Sequence, residues 1–212
     1  MRLNDFAGWL DDNDRFYGPG ALMTTWIGNH DIPRAIHFAS GQIGDCRQGS
    51  HPGNSWTGDY PQPGDAAAYE RLGLAFVVAM TNPGDSLIHY GDEVGLAGGG
   101  DPDNRRMMPW DDAALLAPQR SLRATVQALG RIRRENKVLG RGRRITLGAD
   151  DDTWVYRMSG CGDARLPSWW PSTAPMRRGT CASSSPGPGE TCWPTAPSRA
   201  EALPARSTLV LR

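Results

Sequence analysis

Apolar residues recur at two periods along this 212-residue chain, and the periods mark its elements. Leu3, Phe6, Ala7 and Leu10 share one helical face. A polar turn over residues 11–20 follows, and then a short apolar run over 22–27 reads as a buried strand. That run stops at Gly28-Asn29-His30-Asp31, and Pro33 discourages its continuation, so a short helix is expected from there. Asp65 caps a helix over 66–81 whose wide apolar face holds Tyr69, Leu72, Phe76, Val77 and Met80. Asn82-Pro83-Gly84 ends it. A second strand is expected over 86–90, and a helix over 121–136 carries Leu122, Val126, Leu129 and Ile132. Residues 144–147 and 153–158 alternate like two strands, joined by a turn over 148–152.

The order strand, helix, strand, helix points to an α/β unit with parallel strands. A His and an Asp side by side at a strand's C-terminal end fit the active face of a β/α barrel. Taken alone, such a pair is more often a hydrogen-bonded loop anchor. Residues 41–64 are rich in Gly, Pro, Ser and Asn, with Trp56 and Tyr60 embedded. This reads as a long loop on the same side as His30 and Asp31.

Three segments together change the balance. They are Gly28-Asn29-His30-Asp31-Ile32-Pro33-Arg34, then Leu87-Ile88-His89-Tyr90-Gly91-Asp92-Glu93-Val94-Gly95-Leu96, and then Asp101-Pro102-Asp103-Asn104-Arg105-Arg106-Met107-Met108-Pro109-Trp110. In order and spacing they resemble the alpha-amylase superfamily, glycoside hydrolase family 13. The resemblance covers roughly residues 16–158.

It implies the C-terminal part of a (β/α)8 barrel, strands seven and eight with their helices, followed by a degraded all-β domain. Residues 1–140 would be the barrel part and 141–212 the remnant of the β domain. It also implies a retaining glycoside hydrolase acting on α-glucosidic bonds of starch or malto-oligosaccharides. Such chemistry needs a nucleophile and an acid/base about 5–5.5 Å apart.

Asp31 would be a third carboxylate, stabilising the positively charged transition state. His30 would donate a hydrogen bond to a hydroxyl of the same sugar ring. Arg105 would help close the pocket around a terminal sugar, usually paired with an acidic residue from an early loop. Trp56 and Tyr60 would offer flat faces to sugar rings. Trp110 is more readily core packing, and His89 a core or barrel-wall histidine. Asp92 and Glu93 would mainly anchor the loop after the second strand.

The family's nucleophile follows a Gly-x-Arg-x-Asp pattern, and no such pattern occurs in this sequence. The chain is therefore expected to be inactive alone, with an N-terminal barrel part as its natural partner. A non-catalytic carbohydrate-binding or assembly piece is the alternative. No cofactor is expected; calcium use by the parent family is left open.

Charge adds little. Lys and Arg together number 23, as do Asp and Glu, so no strongly charged partner is implied. A basic run over 131–144 is interrupted by Glu135 and crossed by apolar residues at helical spacing, which argues for a solvated helix face over nucleic-acid binding. No apolar stretch is long enough to span a bilayer. No secretory signal is visible after Met1. Cys46, Cys161, Cys181 and Cys192 lack C-x-x-C spacing, so neither a zinc nor a redox site is supported.

Between Arg157 and Val210 the sequence has no Ile, Val, Phe or Tyr. Such a stretch cannot supply the strands of a β-sandwich. The final residues again look like the family's closing strand. Residues 161–202 are therefore expected to be frameshifted or disordered. Clustered Trp and Cys favour a translated frameshift, later restored, over a linker.

Overall fold

The computed structural model describes residues 2–18, 20–44 and 60–160. Trp56, all four cysteines and the stretch 161–202 lie outside the described residues. The described residues fall into two compact units, one within 24–135 and one joining those up to 23 with those over 136–160.

In the first unit, β1 (Thr24–Thr25) and β2 (Asp85–Ser86) pair in parallel, Thr24 opposite Asp85 and Thr25 opposite Ser86. Parallel pairing was the expectation. The length was not: each strand has only two residues, and of the run over 86–90 only Ser86 belongs to β2. Nor are the apolar runs over 22–27 and 86–90 buried: Leu22, Trp26 and Leu87 are each about half exposed. A two-stranded ladder has no flanking strands to cover its faces.

Among the described residues, two helices lie between β1 and β2, α2 (Ala35–Ser40) and α3 (Ala66–Thr81). The Asp65 carboxylate accepts from the Ala67 N–H at 3.1 Å and caps α3, as its position in the sequence suggests. After β2 the chain makes short 3₁₀ turns at Asp92–Val94, Asp103–Arg105 and Asp112–Ala114, then α4 (Ala117–Glu135). α3 packs against α2 and α4. Its buried residues Leu72, Phe76 and Met80 and α4's Leu122, Val126 and Leu129 form the apolar centre. The Arg133 guanidinium of α4 donates to the carbonyls of Met80, Asn82 and Gly84 at the end of α3. Those carbonyls have no intrahelical partner, so a half-buried cation there caps α3. Part of the basic run is thereby absorbed into the fold.

The second unit joins α1 (Leu3–Tyr17) to a hairpin of β3 (Arg143–Ala149) and β4 (Trp154–Ser159), with the short α5 (Val138–Arg141) before it. The hairpin is antiparallel with an irregularity between Thr146 and Gly148. Its turn supplies the carbonyls of Asp151 and Asp150 to the Leu3 and Asn4 N–H groups that open α1. Phe6 meets buried Trp154 edge-on at 5.8 Å. Arg144, with its side chain fully buried, bonds Asp14 at 2.7 Å. Sequence reading groups α1 with residues up to 140, whereas the contacts group it with the hairpin. The reason is this set of capping, aromatic and ionic contacts.

Candidate functional site

The chain leaves β1 through Trp26 and Ile27 and turns at Gly28, where the backbone passes directly over the Asp92 carboxylate. A Cβ on Gly28 would overlap Oδ2 of Asp92 and lie 3.2 Å from its Cγ, so only glycine fits. Asn29 Oδ1 then accepts the Asp31 N–H at 2.8 Å and tightens the turn. The result sets His30 and Asp31 outward, their side chains 63% and 70% exposed, with His30 Nε2 3.4 Å from Asp31 Oδ1.

Beneath the turn lies a layer of buried polar groups. Arg34, almost completely enclosed, donates to the Tyr90 carbonyl and reaches Asp92 Oδ1 at 3.4 Å. The Tyr90 ring covers the guanidinium at 4.6 Å. Burial pushes the Asp92 carboxyl up to about 6, against the opposing pull of Arg34. Asp92 thus ties the segment after β2 to the segment after β1, in keeping with the loop-anchoring role that the family resemblance implies. Glu93 is half-buried beside it. His89 is half-buried too, edge-on to Tyr90 at 4.9 Å. Its pKa is lowered, first by burial and then by Arg34.

The glycine-rich loop over 97–104 forms the wall of the site. Gly98 donates its N–H to Nε2 of buried His37 at 2.9 Å, and its carbonyl accepts the Arg34 N–H at 3.0 Å. A Cβ at Gly98 would lie 2.6 Å from the Asp103 carbonyl oxygen, so the loop can fold this tightly only with glycine there. His37 Nδ1 faces Gln42 Oε1 at 2.5 Å. Because Nε2 accepts from Gly98, the proton of the neutral ring belongs on Nδ1. Burial lowers the His37 pKa and favours that neutral form.

Asn104, fully buried, donates to the carbonyls of His30 at 2.7 Å and Ile32 at 2.9 Å. Arg105 stands exposed and pairs with Asp101 at 2.8 Å. Its acidic partner therefore comes from its own loop. Asp103 holds Arg106 through two bonds of 2.7 Å and also accepts the Gly99 N–H. Burial raises the Asp103 pKa, but Arg106 and the Gly99 N–H outweigh it and the net shift is downward.

The structure brings His30, Asp31 and the loop bearing Arg105 together through Asn104. Tyr60 is half-buried, its ring tilted against that of His37 at 5.1 Å. Trp110, expected in the core, is instead 82% exposed, because the chain after the Asp103–Arg105 turn runs over the surface. Among the described residues, no three His, Cys, Asp or Glu side chains converge as metal ligands would. No described helix is long and apolar enough to cross a membrane.

Sequence reading missed Arg34, His37 and Asn104. An arginine opening the apolar stretch Ala35-Ile36 was a usable sign of a buried cation. Nothing local marks His37 or Asn104.

No protein-family model matches this chain. An amylopullulanase of Thermoanaerobacter thermohydrosulfuricus is 34% identical over 130 residues, which are 61% of this chain and 8% of that protein. A cyclomaltodextrinase of Thermoanaerobacter pseudethanolicus is 32% identical over 136 residues, 64% of this chain and 19% of that protein. This chain thus spans a small part of the curated relatives it matches. The crystal structure of an Anoxybacillus alpha-amylase superposes with a TM-score of 0.56 at 26% identity, covering 75% of this chain and 29% of that one. The described part is accordingly a partial α/β counterpart of the barrel enzymes of that family. Over the portion these relatives match, the chain is similar to starch-acting enzymes of the alpha-amylase superfamily, glycoside hydrolase family 13, as a fragment of such an enzyme would be.

Proposed function

We propose that this chain carries one part of the active site of a glycoside hydrolase acting on α-glucosidic bonds of starch or malto-oligosaccharides. In this reading β1 and β2 are barrel strands seven and eight, within a barrel part over 1–140. Asp31 is the carboxylate that stabilises the oxocarbenium-like transition state. His30 and Arg105 hold the sugar, with Trp56 and Tyr60 as stacking faces.

The observation that carries the reading is the exposed His30-Asp31 pair just beyond the C-terminal end of a parallel strand, joined through Asn104 to the loop that bears Arg105. An anion there interacts more strongly with a developing positive charge than with the neutral ground state. A retaining mechanism also needs a nucleophile and an acid/base. Asp92 is buried under Gly28 and bound to Arg34, so it supplies neither. The remaining groups would come from an N-terminal barrel part, and the chain alone would be inactive.

The test is turnover of an activated maltoside by the purified chain, alone and mixed with the N-terminal barrel part of a related cyclomaltodextrinase. Activity only in the mixture, abolished by Asp31→Asn, is the expected result. Activity of the chain alone would overturn the division of roles.

A further inference from the structure

Asn104 lies on the Asp103–Arg105 turn, and its side chain is sealed from solvent. Its amide nitrogen donates to two carbonyls, those of His30 and Ile32, which bracket Asp31. A primary amide has two N–H donors, and this arrangement uses both on one short stretch of backbone. A flipped amide would set its oxygen against two carbonyl oxygens, so the nitrogen must face them. The Asp31 N–H is bound separately by Asn29 at 2.8 Å. The backbone on both sides of Asp31 is therefore fixed, while its carboxylate faces solvent.

We propose that Asn104 is the positioning residue for Asp31 and His30. It fixes the peptides between which Asp31 is strung, and so sets where the carboxylate and the imidazole point. Only two side-chain torsions separate the Asp31 backbone from its carboxylate. A turn free to drift by about 1 Å costs on the order of a hundredfold in a reaction that needs the group in place. Arg105 follows Asn104 directly in the chain, so one buried amide also sets the Arg105 loop in register with the Asp31 turn. The proposal rests on the carbohydrate reading for its consequence, though not for its geometry.

The experiment uses the full chain, labelled for NMR, as wild type, Asn104→Ala and Asn104→Asp. Backbone order parameters at His30, Asp31 and Ile32 should fall from about 0.85 to below about 0.6 in both variants, while Leu72 and Phe76 stay rigid. N104D supplies a second, independent readout. Its carboxylate offers no donor at neutral pH and one when protonated. Acidification to about pH 4 should restore order in part, at whichever of His30 or Ile32 the single O–H then bonds, in N104D and leave N104A unchanged.

Unchanged order parameters at the turn in both variants would overturn the proposal. So would a loss shared equally by Leu72 and Phe76, since that describes a residue needed only for folding. Maltotriose titration of the same samples separates the two readings. Shifts at His30 and Asp31 in the wild type, with affinity reduced about tenfold or more in N104A, support both. No shift in the wild type counts against the carbohydrate reading alone, and the order parameters still decide the role of Asn104.

Discussion

Gly28 and Asp92 touch so closely that the backbone of one excludes any side chain over the carboxylate of the other. Gly28→Ala would push the turn off a buried ion pair that has no room to yield. The expected cost is about 1–3 kcal/mol, typical of overpacking a filled site. Gly8 is the control, because it sits in α1 with open space where a Cβ would go. Gly8→Ala should be neutral or stabilising by about 0.5–1 kcal/mol, from helix propensity alone. Urea denaturation of the two variants checks the contrast, and equal effects would contradict it.

Asp92 should make stability depend on pH in the direction opposite to a carboxylate whose pKa is lowered by folding. Its folded pKa, near 6, lies above the ordinary value of 3.8. Between those values the folded state holds more protons than the unfolded one, so stability falls as pH rises through this window. The charge on Asp92 then costs on the order of 2–3 kcal/mol at pH 7. The difference in melting temperature between wild type and Asp92→Asn, followed from pH 4 to 7, reads this term. A flat difference would mean that the carboxylate is not desolvated as the structure has it.

His37 should act with the opposite sign. Its pKa is lowered by burial, with Gln42, Tyr60, Asp103 and Arg106 as its polar surroundings. The stability it contributes is present above the ordinary value of 6.5 and is lost as pH falls through the lowered folded value. A proton added at Nε2 would also face the Gly98 N–H, so that bond must break. Exchange of the Gly98 amide, corrected for intrinsic rates, should therefore speed up below about pH 6.5. In His37→Phe it should be faster throughout and lack that pH step.

Arg144 should be among the costliest positions in its unit. Its guanidinium is enclosed and bound to Asp14, whose pKa is raised by burial despite the cation. Arg144→Ala leaves that half-buried carboxylate, and Asp11 at 3.7 Å from the same guanidinium, without their partner, at an expected cost of about 1–3 kcal/mol once solvent reaches the exposed part. Arg144→Met fills the space and, combined with Asp14→Asn to remove the stranded charge, should recover much of the loss. Thermal melts of the single and double variants check this, and a lone Arg144→Ala that melts like wild type would refute it.

What the sequence made legible was local. The Asp65 cap, the apolar face of α3 and the β3–β4 hairpin all follow from residues close together in the chain. The parallel pairing of β1 and β2 was also readable, because two apolar runs separated by helices have few other ways to pair. Strand length was not, since burial of Trp26 or Leu87 depends on neighbours that no local pattern specifies. Within the site, His30 and Asp31 were singled out as titratable groups at the end of a strand, and Arg105 by its place in a loop resembling that of the alpha-amylase superfamily. Asn104 was invisible for a plain reason: its partners lie more than seventy positions away, and a buried amide looks like any loop asparagine until the fold closes around it.

The β1–β2 ladder has a consequence for the order of folding. Its two residue pairs join points about sixty residues apart, a span similar to that between facing α3 and α4 residues such as Gly73 and Leu122, but the helices bury an apolar face and the ladder does not. Closing so long a loop costs entropy before the ladder returns anything, and two pairs return little. The α3–α4 pair should therefore assemble first as a nucleus, with the ladder and the Gly28–Ile32 turn docking late. Substitutions in Leu72 or Leu122 would then slow refolding, while those around Asn104 and Asp92 would chiefly quicken unfolding.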